Sequence, residues 1–320
     1  MEPLDLLRLG VLSPMTLCFA LGVLATLLRS DLKFPEPVYT ALSIYLLLAI
    51  GLKGGAALAT TSAREIALPA IAGIALGAAI PFWVYAALRR LGGFGAVDAA
   101  ALAAHYGSVS AVTFIASLSY VDSLGMPAEG FMPAVLALME VPAIVIALML
   151  AREGRSADGL GTALHEVLAG RSILLLAGGL AIGFAAGPRG YETVRPFFAD
   201  PFQGALCLFL LDLGMVAALR FKDVRAVGRF LVAFAVVAPL VNGAAGVAAG
   251  WAVGLSPGGS AVLGTLAASA SYIAAPAAVR LALPSANPGY YLTASLALTF
   301  PFNLVAGLPL YAWFARFLHG

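Results

Sequence analysis

Apolar residues run along this chain in blocks too long and too continuous for the half-buried helices of a soluble domain. Ten blocks can be drawn, at about 14–28, 38–58, 66–88, 97–120, 131–150, 172–186, 203–219, 230–253, 259–283 and 291–317. A hydrocarbon layer about 30 Å thick needs about 20 apolar residues in a helix, and most blocks reach or approach that length. They predict ten transmembrane helices in an all-α polytopic membrane protein. Polarity returns between the fifth and sixth blocks, over 151–171, with Arg152, Glu153, Arg155, Asp158, His165 and Glu166. That stretch reads as a linker with a short helix over 161–169. It separates a first five-helix half, 1–150, from a second, 172–320. Five is odd, so the second half enters the membrane from the opposite face. Two related halves of that kind form an inverted repeat.

Two polar stretches interrupt the apolar pattern. Block four contains Gly107-Ser108-Val109-Ser110-Ala111-Val112-Thr113, and block nine contains Ala268-Ser269-Ala270-Ser271-Tyr272. Both read small-Ser-small-Ser, and they stand 161 positions apart. Other cues keep the same order. Block two carries Lys53 where block seven carries Asp212. Block five carries Glu140 and Pro142 where block ten carries Pro301 and Asn303. A membrane helix can break only where protein or a watery cavity satisfies its backbone. Blocks four and nine are therefore predicted to be broken helices that cross near the midplane. A half-helix N-terminus has free N–H groups and a partial positive charge, and two of them suit a small anion with several oxygens. Ser108, Ser110 and Thr113, with Ser269 and Ser271, add hydroxyls. Pro276 removes a donor just beyond the second stretch.

Ionisable groups inside a membrane are costly and are functional candidates for that reason. Glu140 precedes Pro142, which frees a carbonyl one turn back near Leu138. Carboxylate, carbonyl and hydroxyl are hard oxygen donors that suit Na+, with protonation of Glu140 as the competing use. Asn303 offers an amide in the equivalent neighbourhood. Lys53 and Asp212, at matching places, are expected to pair with each other. His105 is expected to be neutral and hydrogen-bonded. The sets Gly73/Gly77, Gly179/Gly183/Gly187 and Gly246/Gly250 have the spacing of close helix packing.

Composition narrows the class further. The chain is 62% hydrophobic and 11% charged, with a mean hydropathy of +0.98. Soluble domains carry about 25% charged residues. A net charge of +2 without a basic run gives no footprint for nucleic acid. Cys18 and Cys207 lie in separate blocks, with no spacing suited to a transition metal, and no cofactor is expected. No nucleophile–base set supports hydrolysis, so the chain is not expected to be an enzyme. The first residues lack the basic start of a cleaved leader. Of 18 Lys and Arg, twelve fall on one set of connections and five on the other, with Lys53 inside a block. The positive-inside rule makes the first set cytoplasmic. Both termini then lie outside and the central linker inside.

The runs Ile50-Gly51-Leu52-Lys53-Gly54-Gly55, Tyr106-Gly107-Ser108-Val109-Ser110 and Met139-Glu140-Val141-Pro142-Ala143 share a pattern with a known family. So do Phe209 to Gly214, Leu266 to Ala278 and Phe300-Pro301-Phe302-Asn303. Together they resemble the sodium-dependent bicarbonate transporters of cyanobacteria. The resemblance spans about residues 13 to 314. It implies a five-plus-five inverted repeat with crossing broken helices four and nine, trimers in a bacterial inner membrane, and an elevator motion. The moving core would be 65–150 with 227–320, against a scaffold of 10–60 with 172–222. It also implies Na+-coupled bicarbonate uptake and a cytoplasmic PII-like regulatory partner. By position, bicarbonate would meet Gly107, Ser108, Val109, Ser110, Ala268, Ser269, Ala270 and Ser271. Na+ would draw on Ser108, Ser110, Thr113, Glu140, Ser269, Ser271 and Asn303. This chain departs from the family in having Glu140 for an Asp, Lys53 for a small polar residue, and a short linker. On the same fold, an organic-anion symporter or a cation/proton antiporter is the alternative. A membrane receptor that binds the anion, or a PII-like protein, without moving anything is the alternative from another class.

Overall fold

The computed structural model describes residues 8, 10–151, 161, 165 and 168–320. Most of the linker, including most of the helix expected over 161–169, lies outside the described residues. In lipid, backbone groups must be satisfied within the segment itself. The described residues accordingly form helices and no strand. They are α1 (Pro14–Leu27), α2 (Glu36–Leu58), α3 (Ala63–Arg90), α4 (Ala96–Gly107), α5 (Ala111–Ser123), α6 (Met132–Leu150) and α7 (Arg171–Phe198). Then follow α8 (Phe202–Arg220), α9 (Gly228–Ala252), α10 (Pro257–Ala268), α11 (Ala274–Ala282) and a long α12 (Pro288–His319).

Among the described residues, eight spans are long and apolar enough to cross a membrane, α4 and α5 counting as one. The chain is a multi-pass membrane protein. The two blocks outside that eight have local reasons. α1 has only 14 residues, starting after Ser13, whose hydroxyl caps the Thr16 N–H. Block nine is divided into α10 and α11, of 12 and 9 residues. Block six ends in the sequence pattern at 186, and there the backbone turns: Gly187 takes φ 63°, a left-handed conformation open to glycine, and Pro188 follows. The helix then resumes to Phe198, so this span is longer than its apolar pattern.

Packing sorts the helices into two groups. α2 lies along α7, and α1 along α8. Both contacts need glycine. A Cβ on Gly51 would fall 2.8 Å from the Leu176 carbonyl oxygen, and one on Gly22 would overlap the Leu211 carbonyl. In the second group, α3, α4 and α6 pack on one another, as do α9, α10 and α12. α5 packs on α10, and α11 on α4, which knits the two sets together. Contacts between the groups are fewer and include Gln203 Nε2 donating to Ser119 Oγ at 2.8 Å. The broken block four is the most enclosed span: 94% of its apolar window is buried, against 22% for α7. Whatever the break does, it does away from lipid.

Candidate functional site

Both polar stretches are breaks between two helices, as their composition predicts. α4 stops at Gly107, Ser108 to Ser110 run extended, and α5 starts at Ala111. α10 stops at Ala268, and α11 starts at Ala274. Gly107 earns its place by proximity: a Cβ there would fall 2.5 Å from Pro81 Cγ and 3.1 Å from Ala143 Cβ. Pro276 stands third in α11, in the first turn, where its missing N–H has no intrahelical acceptor to lose.

The breaks touch each other through backbone groups. Ser110 N–H donates to Ser269 Oγ at 2.9 Å, and Ser269 Oγ donates to the Leu266 carbonyl at 2.8 Å. Ser271 N–H donates to the His105 carbonyl at 2.8 Å. Each starting helix is capped by a serine of its own break. Ser110 Oγ accepts from Thr113 N–H at 3.2 Å, and Ser271 Oγ from Ala275 N–H at 3.1 Å. The N-termini of α5 and α11 therefore meet at the crossing, with positive ends of two helix dipoles together. Ser108 Oγ is fully buried and has no hydrogen-bond partner. The Tyr272 hydroxyl lies beside Ser110 and Thr113 without hydrogen-bond geometry to either. Val109 and Ala270 close the crossing with apolar, buried side chains.

A sequence profile of the Na+-dependent bicarbonate transporter superfamily matches residues 14–316. The chain belongs to that superfamily. No curated protein sequence matches it. This superfamily member carries its two serine doublets where its two broken blocks are hydrogen-bonded to each other.

Other residues singled out in the sequence fall at different distances from this crossing. Glu140 lies in α6, one turn before Ala143, which packs on Gly107. It is 5% exposed and has no hydrogen bond or ion pair among the described residues. A bare carboxylate so buried is costly, so a proton or a cation is its physical complement. Asn303 lies in a π-helical stretch of α12, Asn303–Gly307. Its Nδ2 donates to the Ala268 carbonyl at 2.9 Å, which fixes the amide orientation. Its Oδ1 then faces the Tyr311 hydroxyl at 3.0 Å. Asn303 thus presents a nitrogen, not the expected oxygen, to the second break.

The expected Lys53–Asp212 pair does not form. Among the described residues no ion pair joins them: Lys53 lies level with Gln203 at the start of α8, and Asp212 is nine positions further along that helix. Lys53 opens into a cavity shared with Ser119, Asp122 and Gln203. Asp212 sits one turn from Phe209, whose ring stacks on Tyr39 at 5.0 Å. Tyr39 and Lys53 are 14 positions apart on α2, or about 21 Å along its axis. Positions matched by an inverted repeat lie equally far from the midplane on opposite sides, so they meet only at the midplane itself.

Two side-chain partners at the site, Thr299 and Tyr291, escaped the sequence pattern. Tyr106 donates to Thr299 Oγ1 at 2.7 Å, and Thr299 donates to the Ala235 carbonyl at 2.7 Å, which joins α4, α12 and α9. His105 Nδ1 donates to the Ala101 carbonyl at 2.7 Å while its ring stacks on Tyr291 at 4.4 Å. Its Nε2 is buried and unpartnered, so the neutral ring, with an acceptor there, is the form that leaves no donor stranded. A run of hydroxyls at 293, 295 and 299 in α12 is the one signal of this network in the sequence. Its π-helical geometry over Thr293–Thr299 shows only in three dimensions.

Proposed function

We propose that this chain moves bicarbonate, or a similar small monoanion, into the cytoplasm together with Na+, and that the anion binds at the crossing. Superfamily membership supports the substrate class. The single observation that carries the site is Ser108 Oγ: a buried, unpartnered hydroxyl beside two opposed helix N-termini. An unsatisfied polar group of this kind costs about 1–3 kcal/mol, which an oxyanion can return by accepting from it.

The same reading takes the fold as a five-plus-five inverted repeat. In its support, the helix pairs exchange as a repeat requires: α1 with α8 answers α7 with α2, and α3 with α4 answers α9 with α10. The group of α1, α2, α7 and α8 is the scaffold, and the remaining helices carry the crossing past it as an elevator. Thin contact between the groups favours such sliding. Family membership is what supports a homotrimer, a bacterial plasma-membrane location and a cytoplasmic PII-like partner.

Glu140 is the candidate for cation coupling, with Ser108, Ser110, Thr113, Ser269 and Ser271 as further oxygen donors, while the Asn303 amide, engaged on both sides, braces the second break. The bare carboxylate also favours one second reading, coupling to H+ instead of Na+. The deciding experiment is uptake of radiolabelled bicarbonate by the purified protein in liposomes, under a Na+ gradient, a proton gradient or neither. Uptake that needs Na+ is expected. Uptake that follows only the proton gradient selects the second reading, and uptake of no small monoanion under any gradient removes both. One Na+ with one bicarbonate moves no net charge, whereas each uncompensated charge would couple to about 2.3 kcal/mol per 100 mV. Uptake at that stoichiometry is therefore expected to be nearly voltage-independent.

A further inference from the structure

A chamber of about 390 Å3 lies between the first turns of α2, α7 and α11, at the end of the molecule carrying Arg171 and Arg280. Its inner wall is Tyr272 to Ala274, the N-terminal side of α11 at the crossing. Three independent features of the wall favour an anion. The first turn of α7, Gly170 to Ile173, faces the chamber, and its N-cap glycine provides no side-chain acceptor for the free N–H groups. Ser43 and Ser172 are only 5% and 7% exposed, both line the chamber, and neither has a hydrogen-bond partner among the described residues. Two guanidinium groups complete it. Arg280 has no ion pair among the described residues, and the Arg171 side chain makes only a long contact, 3.5 Å, with Thr40 Oγ1. Among the described residues, no Asp or Glu lines the chamber.

We infer that this chamber is a second anion site, a staging point for the transported oxyanion between the crossing and the aqueous face bearing Arg171 and Arg280. The inference rests on the proposed transport of a small oxyanion, because that is the anion that would pass through. At about 30 Å3 per water, the chamber holds roughly a dozen waters. An anion there keeps much of its hydration shell while the two arginines and the α7 N-terminus offset its charge. Such a site binds weakly and exchanges fast, which suits release from the crossing. It also gives the anion a destination of favourable potential one step away from the helix ends that held it.

The test needs a readout other than transport. Ala277 lines the chamber and is not among the anion's contacts. In full-length protein with Cys18 and Cys207 replaced by alanine, A277C serves as a reporter for a water-soluble thiol reagent. Bicarbonate at about four times its dissociation constant is expected to slow labelling about fivefold, and an equal concentration of chloride much less. Adding R280Q or R171Q is expected to lower that protection to under twofold, while R280K keeps part of it. Adding Ser108→Trp, which fills the crossing, is expected to leave it in place. Gel filtration and thermal unfolding establish that each variant is folded. Protection that survives R280Q and R171Q but is lost with Ser108→Trp overturns the inference, because the crossing alone then shields residue 277. So does the absence of protection in a protein that takes up bicarbonate normally. Arginine-dependent protection in a protein without uptake keeps the chamber site and removes the transport reading instead.

Discussion

The two breaks share a sequence pattern and use it differently. Ser110 N–H donates to Ser269 Oγ. A strict repeat, with its offset of 161, would have Ser271 N–H donate to Ser108 Oγ. It donates to the His105 carbonyl instead, and Ser108 Oγ is left without a partner. The surroundings differ in the same direction. Near the first break lies Glu140, buried and bare; against the second lies Asn303, bonded on both sides of its amide. Apart from the Tyr272 hydroxyl, the second break is the fastened half, and the first keeps the Ser108 hydroxyl uncommitted. On the proposed reading, two similar N-termini divide the work, one holding the structure while the other is left to meet the ligand.

The largest effect that sharpens this contrast is expected at Glu140. Glu140→Gln keeps size and polarity and removes the charge. It should abolish the Na+ dependence of uptake while the unfolding midpoint holds or rises, since a buried bare carboxylate is costly to the fold. A Na+ titration unchanged from the parent would remove Glu140 from the cation site. Asn303→Ala gives the opposite signature. It strands the Ala268 carbonyl and should cost about 1–3 kcal/mol of stability, seen as a lowered midpoint in detergent.

Next come the serines that the repeat pairs. Ser108→Ala should weaken anion binding about tenfold, the value of a contact near 1.4 kcal/mol, with little change in stability. Ser269→Ala should do the reverse, because it leaves Ser110 N–H buried without an acceptor, at about 1–3 kcal/mol. Isothermal binding and thermal unfolding on the two variants read both quantities. Equal behaviour of the two would break the comparison. Ser271→Ala removes a cap on α11 and should cost about 1 kcal/mol.

How much of this was legible beforehand depends on how local each signal is. Gly107 and the serine doublets stood out because polar residues inside apolar blocks need a reason under the rules of the bilayer. Block limits were legible for the same reason, apart from α7 beyond Gly187, where Arg189, Glu192 and Arg195 hide a helix that continues past its apolar stretch. The link from Tyr106 through Thr299 to Ala235 was not legible, because it depends on the π-helical register of α12 and on which helix faces it. Nor could the sequence reveal that Ser271 would choose a backbone carbonyl over Ser108. That choice depends on how far apart the two chains cross, and the second gap, Ser269 to Ile273, is longer than the first, Ser108 to Ser110.

The smallest expected effect concerns Lys53 and Asp212. The expected inverted repeat matches them by order, yet no ion pair joins them among the described residues. An inverted repeat carries a residue near one face to the other face, so equivalence in sequence there implies separation in space. Lys53 is five residues from the end of α2, and Asp212 is in the half of its group that faces Tyr39. A double-mutant cycle of Lys53→Met and Asp212→Asn on unfolding should therefore give a coupling within about 0.5 kcal/mol of zero, as for distant sites with no shared partner. The same cycle on Ser110 and Ser269 has no side-chain pair to measure on the Ser110 side, since its donor is the backbone N–H. Its nearest equivalent, Ser269→Ala with Asn303→Ala, perturbs two fastenings of one break and should depart from additivity by more than 0.5 kcal/mol. A coupling of that size between Lys53 and Asp212 would mean that the two sites communicate through the helices between them after all.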